Sequence, residues 1–292
     1  MKKIITVFSI FTIILAGCGK VNEQETVKYS DIFNDGKESI SYVVKNSSDD
    51  SASLGKDSEI VKYIVSKDNK IAVYNDDMSE DSSNTTLGKI IKMKDNEKID
   101  YIKNRDKESF SKVQTETLNN YKSNIEDDET VLDRNGDNNN ESDDMTSNEK
   151  IKKHLNLYKK IAKKVENTKY KEPSFEKLTI EASTDETGNS TEKEFINLAG
   201  HDFDEDSKNG IYRDSKEAAN PDIYGSYFTN VVSPMELYDT KIAGLSDIDY
   251  TEEDNGYSEP AYEDYRYLVT EVGDKTEKFE LDQPDDDSVK EK

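Results

Sequence analysis

Ile60-Val61-Lys62-Tyr63-Ile64-Val65-Ser66-Lys67-Asp68-Asn69-Lys70-Ile71-Ala72-Val73-Tyr74 is the stretch that decides the fold class. Two runs of β-branched and aromatic residues flank a short polar break. Asp-Asn at its centre tolerates the left-handed geometry of a tight turn, so the spacing predicts a β-hairpin over 59–75. Upstream, Ile40-Ser41-Tyr42-Val43-Val44 reads as a further strand, set off by the polar loop Asn46–Asp57. Downstream, Leu87-Gly88-Lys89-Ile90-Ile91-Lys92-Met93 fits a short strand or a helical turn. Asp95 is then the expected N-cap of a helix carrying Ile99, Ile102, Phe110, Val113 and Tyr121.

Beyond this first α+β module, assigned to 29–125, residues 126–148 hold nine acids, one Arg and a run of Asn. That composition predicts a solvated acidic linker over 126–146. A basic amphipathic helix follows at 147–170. Ser147 is its cap, and Ile151, Leu155, Tyr158, Ile161 and Val165 form one apolar stripe. Eight Lys and one Glu lie between Lys150 and Lys169. In so acidic a chain they are expected to neutralise neighbouring carboxylates. Binding of anionic lipid or wall polymer is the sharper alternative.

Residues 171–284 read as mainly β. Lys177-Leu178-Thr179-Ile180-Glu181-Ala182 alternates with period two, Asp185-Glu186-Thr187-Gly188-Asn189 makes a turn, and Glu194–Leu198 follows. Tyr224–Val232, Leu237–Ala243, Tyr265–Val272 and Lys278–Leu281 complete about six strands, a number that suits a small sandwich or barrel. Residues 285–292 read as a charged tail. The expected class is α+β, in two modules separated by linker and basic helix.

Composition narrows the function. Against 40 Lys+Arg stand 64 Asp+Glu, a net charge of −24, which makes nucleic acid a poor partner. One Cys excludes a disulfide scaffold, and two His with one Cys exclude a His/Cys metal cage. Hydrophobic residues make up only 32%. The 17 Tyr compensate, since each buries a ring while its hydroxyl stays hydrated, so thin tyrosine-rich cores are expected.

The N-terminus carries the most specific pattern. Lys2 and Lys3 precede an apolar run from Ile4 to Ala16, too short to span a bilayer but typical of a secretory signal. It closes on Leu15-Ala16-Gly17-Cys18, which resembles the lipobox of bacterial lipoproteins. The resemblance implies a diacylglycerol thioether on Cys18, cleavage after Gly17, and a signal peptide at 1–17. Residues 18–28 would then be the lipidated cysteine and its tether. Two acyl chains anchor stably where one binds reversibly. Loss of Lys2 and Lys3 would bring the mature chain to about −26. The layout over 59–102, with Leu237-Tyr238-Asp239-Thr240 and Phe279-Glu280-Leu281-Asp282-Gln283-Pro284, is similar to a group of Gram-positive surface lipoproteins. That group has no assigned activity, so the likeness implies location and topology alone.

Catalytic motifs are missing from the sequence: no G-x-S-x-G, no phosphate loop, no G-x-G-x-x-G and no H-E-x-x-H. His154 and His201 stand 47 residues apart. Asp133, Asn135, Asp137, Glu141 and Asp144 have the spacing of a calcium loop. Asn138 replaces its turn glycine and Asn140 its apolar plug, so linker is the expected state and no cofactor is called for. Tyr250, Tyr257, Tyr262, Tyr265 and Tyr267 lie among Asp, Glu, Gly and Pro, and Tyr257, Tyr262 and Tyr265 are candidate ligand contacts. The leading expectation is a non-enzymatic, lipid-anchored interaction module on the outer face of the cell membrane, with no ligand specified. A solute-binding lipoprotein of a transporter, or an envelope enzyme, are the alternatives.

Overall fold

The computed structural model describes residues 24–46, 53–76, 85–135, 148–198, 202–203, 212–213, 225–250 and 263–291. The class is α+β. In chain order the elements are β1 (Thr26–Val27), α1 (Tyr29–Asn34), β2 (Ser39–Asn46), β3 (Glu59–Lys67), β4 (Lys70–Asn75), α2 (Leu87–Ile91), α3 (Asp95–Asn135) and α4 (Asn148–Asn167). There follow β5 (Glu176–Lys177), β6 (Ile180–Thr184), β7 (Thr191–Asn197), β8 (Asp202–Phe203), β9 (Tyr212–Arg213), β10 (Gly225–Phe228) and β11 (Asn230–Leu237). The last are β12 (Thr240–Tyr250), β13 (Glu263–Glu271), β14 (Lys278–Phe279) and β15 (Val289–Glu291).

The predicted hairpin is β3–β4, with Asp68 and Asn69 at φ +51° and +59°. It lies inside a seven-stranded sheet of order β11-β12-β13-β2-β3-β4-β5, antiparallel throughout. Both faces of this sheet are covered, which is why β3 and β4 read as near-continuous apolar runs. On one face Val43, Ile64, Val73, Leu245 and Leu268 meet Ile180, Ile196 and Phe228 of a second sheet, ordered β10-β7-β6-β15. On the other face Tyr42, Ile60, Tyr63, Tyr74 and Val269 pack against Leu87, Ile90 and Ile102 of α2 and α3.

Register explains how these faces are sorted. The pairing slips by one residue between Val43 and Val44. Ile60 and Tyr63 therefore reach the same face although three positions separate them. Gly244 in β12 permits the close approach of β13, since a Cβ there would lie 2.0 Å from the Leu268 carbonyl oxygen. The tyrosine-rich core is present: Tyr29, Tyr42, Tyr63 and Tyr74 are among the largest fully buried side chains.

Several expectations need correction. The two modules share one sheet, because β2 pairs with β3 on one edge and with β13 on the other. A three-stranded unit would leave the apolar edge of β2 open, and only a distant strand closes it. The sandwich is real but is built across both modules, and the strands do not close into a barrel. The segment 126–146 is not all linker, since α3 runs on to Asn135; residues 136–147 lie outside the described residues. Asp95 is the first residue of α3 rather than its cap. The tether 18–28 ends earlier than expected, because Thr26 and Val27 pair in parallel with Lys278 and Phe279. The tail 285–292 is structured through β15, which pairs with β6. Leu237–Ala243 is no single strand but the β11–β12 turn, with Tyr238 at φ +58°.

The basic helix is α4, with Ile151, Leu155, Ile161 and Val165 buried as the stripe predicted. It returns antiparallel along α3. Gln114 Nε2 donates to the Val165 and Thr168 carbonyls at one end, and Asn135 Nδ2 donates to Asn148 Oδ1 at the other. Phe110, Tyr121, Ile161 and Val165 form a small core of their own between the two helices. The pair is a helical arm of about 30 Å, at ~1.5 Å per residue.

Candidate functional site

Most sequence-derived site residues are scattered or lie outside the described residues. Leu15, Ala16, Gly17 and Cys18 are outside them, as are Tyr257, Tyr262, Asp137, Asp144 and His201. Tyr265 sits in β13, opposite Asn46 and Ile248, and Tyr267 beyond it is buried in the helix-side core. Asp133 and Asn135 belong to the last turn of α3, and the Asn135 amide is engaged by Asn148. The rest of that spacing, Asp137, Glu141 and Asp144, lies outside the described residues. Among the described residues no three His, Cys, Asp or Glu side chains gather as a metal site. His154 is exposed, 3.4 Å from an Asp128 carboxylate oxygen and with its ring against Tyr158.

Three arrangements emerge, of which sequence reading missed the first two. The first fastens α3 to the sheet. Buried Asp76 accepts hydrogen bonds from the Tyr63 hydroxyl (3.1 Å) and the Thr85 amide (2.8 Å), and pairs with Arg105. Asp106 accepts from the Asn75 amide at 2.8 Å and from the Tyr170 hydroxyl at 2.8 Å. Lys98 Nζ lies 2.6 Å from Glu271. Burial works against its charge, yet Glu271 and Asp95 raise the Lys98 pKa above the ordinary lysine value.

The second arrangement clasps the two ends of the described chain. Asp282 and Glu194 are both fully buried. The Ser30 amide in α1 donates to both Asp282 carboxylate oxygens at 3.1 Å. The Asp282 amide donates to Glu194 Oε2 at 3.0 Å, and Lys28 Nζ meets Asp286 at 2.7 Å. Burial first, then the nearby Asp282 charge, pushes Glu194 well above the usual carboxylate range. Burial raises Asp282 as well, opposed by its hydrogen bonds from Ser30. Both native pKa values exceed the unfolded ones, so the contribution of the Glu194–Asp282 pair is fullest below the unfolded values and is lost as pH rises through the native ones. Glu194→Gln keeps an acceptor for the Asp282 amide and removes one charge. Urea midpoints across about pH 5 to 9 should fall less steeply with pH in this variant than in the parent. Identical slopes would show that Glu194 carries no raised pKa.

The third arrangement is the arm. Lys159 reaches Glu129 at 2.6 Å and His154 faces Asp128, so part of the basic helix does answer acids of α3. The opposite side of α4 is turned outward, with Lys152, Lys153, Lys160 and Lys163 exposed. Compared with protein-family models, curated proteins and solved structures, the chain matches none.

Proposed function

We propose that this chain is a lipid-anchored extracytoplasmic lipoprotein that serves as a non-enzymatic interaction module. The observation that carries the reading is Leu15-Ala16-Gly17-Cys18 at the end of a short apolar run, just ahead of the fold. Support comes from the place of Thr26 in the described fold. Thr26 is the first paired residue among the described residues, and Gly19–Glu25 stand between it and Cys18 in the sequence. Seven residues reach at most about 25 Å, which would hold the body near the bilayer without burying it. The end-to-end clasp gives such a tether a firm base, because Lys28 and Ser30 are fixed to Asp286 and Asp282. An antiparallel seven-stranded sheet lacks the parallel strand–helix repeats of two-lobed solute receptors, which weighs against the transporter alternative.

The test is acylation in a bacterial host. The parent should incorporate labelled fatty acid and lose its first 17 residues, while Cys18→Ser should do neither. Equal labelling of the Ser variant would sink the proposal.

A further inference from the structure

The two sides of α4 meet different surroundings. Its apolar stripe is spent on α3, where Ile161 and Val165 join Phe110 and Tyr121. Its outward side presents Lys152, Lys153, Lys160 and Lys163, exposed, with Leu157 beside them at 40% exposure. At about 100° per residue these four lysines share one sector of the helix and extend roughly 17 Å along it. Lys153 pairs with Glu149 one turn back, and both are exposed.

We propose that this outward face is a docking surface for a flexible anionic polymer bearing phosphate groups. The inference deepens the interaction reading above by naming a partner. Charge complementarity is the first argument. Helices at a bilayer surface bury an apolar face among the lipids, and α4 has already committed its apolar face to α3. What is left is four lysines with Glu149 among them, a net-positive row that suits a chain of spaced anions. The acids of α3 do not cancel it. One helix diameter, ~10 Å, separates them from the outward lysines, and that exceeds the ~8 Å Debye length at physiological salt.

Placement is the second argument. The arm leaves the body beside β4, where Asp106 holds the Asn75 amide. The N-terminal strand β1 instead pairs with β14, which packs against β11 and β12. From β12 to β4 is four strand spacings, about 19 Å. The arm and the tether therefore start from opposite parts of the sheet, and the lysine face is offered to material around the protein.

The experiment uses soluble residues 19–292 titrated with long-chain inorganic polyphosphate. If four cations are neutralised on a single-stranded polymer, affinity should fall roughly 50-fold between about 50 and 200 mM salt. Replacing Lys152, Lys153, Lys160 and Lys163 together by Gln should abolish binding with helix content unchanged by circular dichroism. Replacing exposed Lys67 and Lys70 by Gln should leave binding intact. Four results overturn the proposal: no binding at low salt, binding kept by the quadruple variant, binding to phosphatidylglycerol vesicles as tight as to the polymer, or binding to single-stranded RNA as tight as to the polymer. The protein tested lacks Cys18, so its result is independent of the acylation result.

Discussion

Expressed as separate polypeptides, residues 24–135 and 148–292 should both fail to fold, and mixing them should restore the native sheet. The shared sheet compels this result. β2 has β3 from its own half on one edge and β13 from the other half on the opposite edge. Each of the two larger cores also draws on both halves, with Val43 and Ile64 against Leu245 and Ile196, and Tyr42 and Tyr63 near Ile242 and Val269. Unburying even six such side chains forfeits roughly 9–18 kcal/mol at ~1.5–3 kcal/mol each. A whole domain has only about 5–15 kcal/mol of stability. A protease cut within 136–147 should likewise yield two pieces that stay together until denatured. Slowly exchanging β2 amides in isolated 24–135 would contradict the shared-sheet account.

The second large effect is expected at Arg105. Asp76 is fully buried, and Arg105 is the cation paired with it. Arg105→Ala leaves the carboxylate with the Tyr63 hydroxyl and the Thr85 amide but no countercharge among the described residues. Removing one partner of a buried pair costs about 3–5 kcal/mol, enough to unfold much of the population near physiological temperature. The double variant Asp76→Asn with Arg105→Met should lose less than Arg105→Ala alone, because it buries no unpaired charge. Chemical denaturation decides it: a loss below about 1 kcal/mol for Arg105→Ala would mean that solvent reaches Asp76.

Local structure was legible in the sequence wherever neighbours in the chain decide it. Asp68-Asn69 announced the hairpin, and the α4 stripe announced its buried face. The far end of α3 was hidden by its acids, although Leu118, Ile125 and Leu132 repeat every seven residues and lie on the half-buried side. Counting charge alone masked that spacing. The pairing of β2 with β13 left no local trace, because an antiparallel partner can come from any distance along the chain. Nor could the clasp be read. Glu194 and Asp282 are two of 64 acids, and only the fold shows which are buried. Of the candidate site residues, Tyr265 was correctly assigned to a strand. The spacing that suggested a calcium loop was a helix end continuing into an Asn-rich stretch.

The clasp between Ser30 and Asp282 also sets when the protein can fold. Two hundred and fifty-two residues separate its partners, so the first helix has no seat until nearly all of the chain has been made. Contacts this distant in sequence must wait for a large loop to close, which slows folding. A nascent chain halted before β13 would display the open edge of β2 and several apolar strands, a state that invites aggregation. For a protein threaded through a membrane from its N-terminus the delay is an advantage. The segment already across has nothing stable to form, and the chain behind it stays extended enough to follow. On the proposed reading of this chain as an exported lipoprotein, folding would be the last event of export, completed on the side where the proposed anchor holds it.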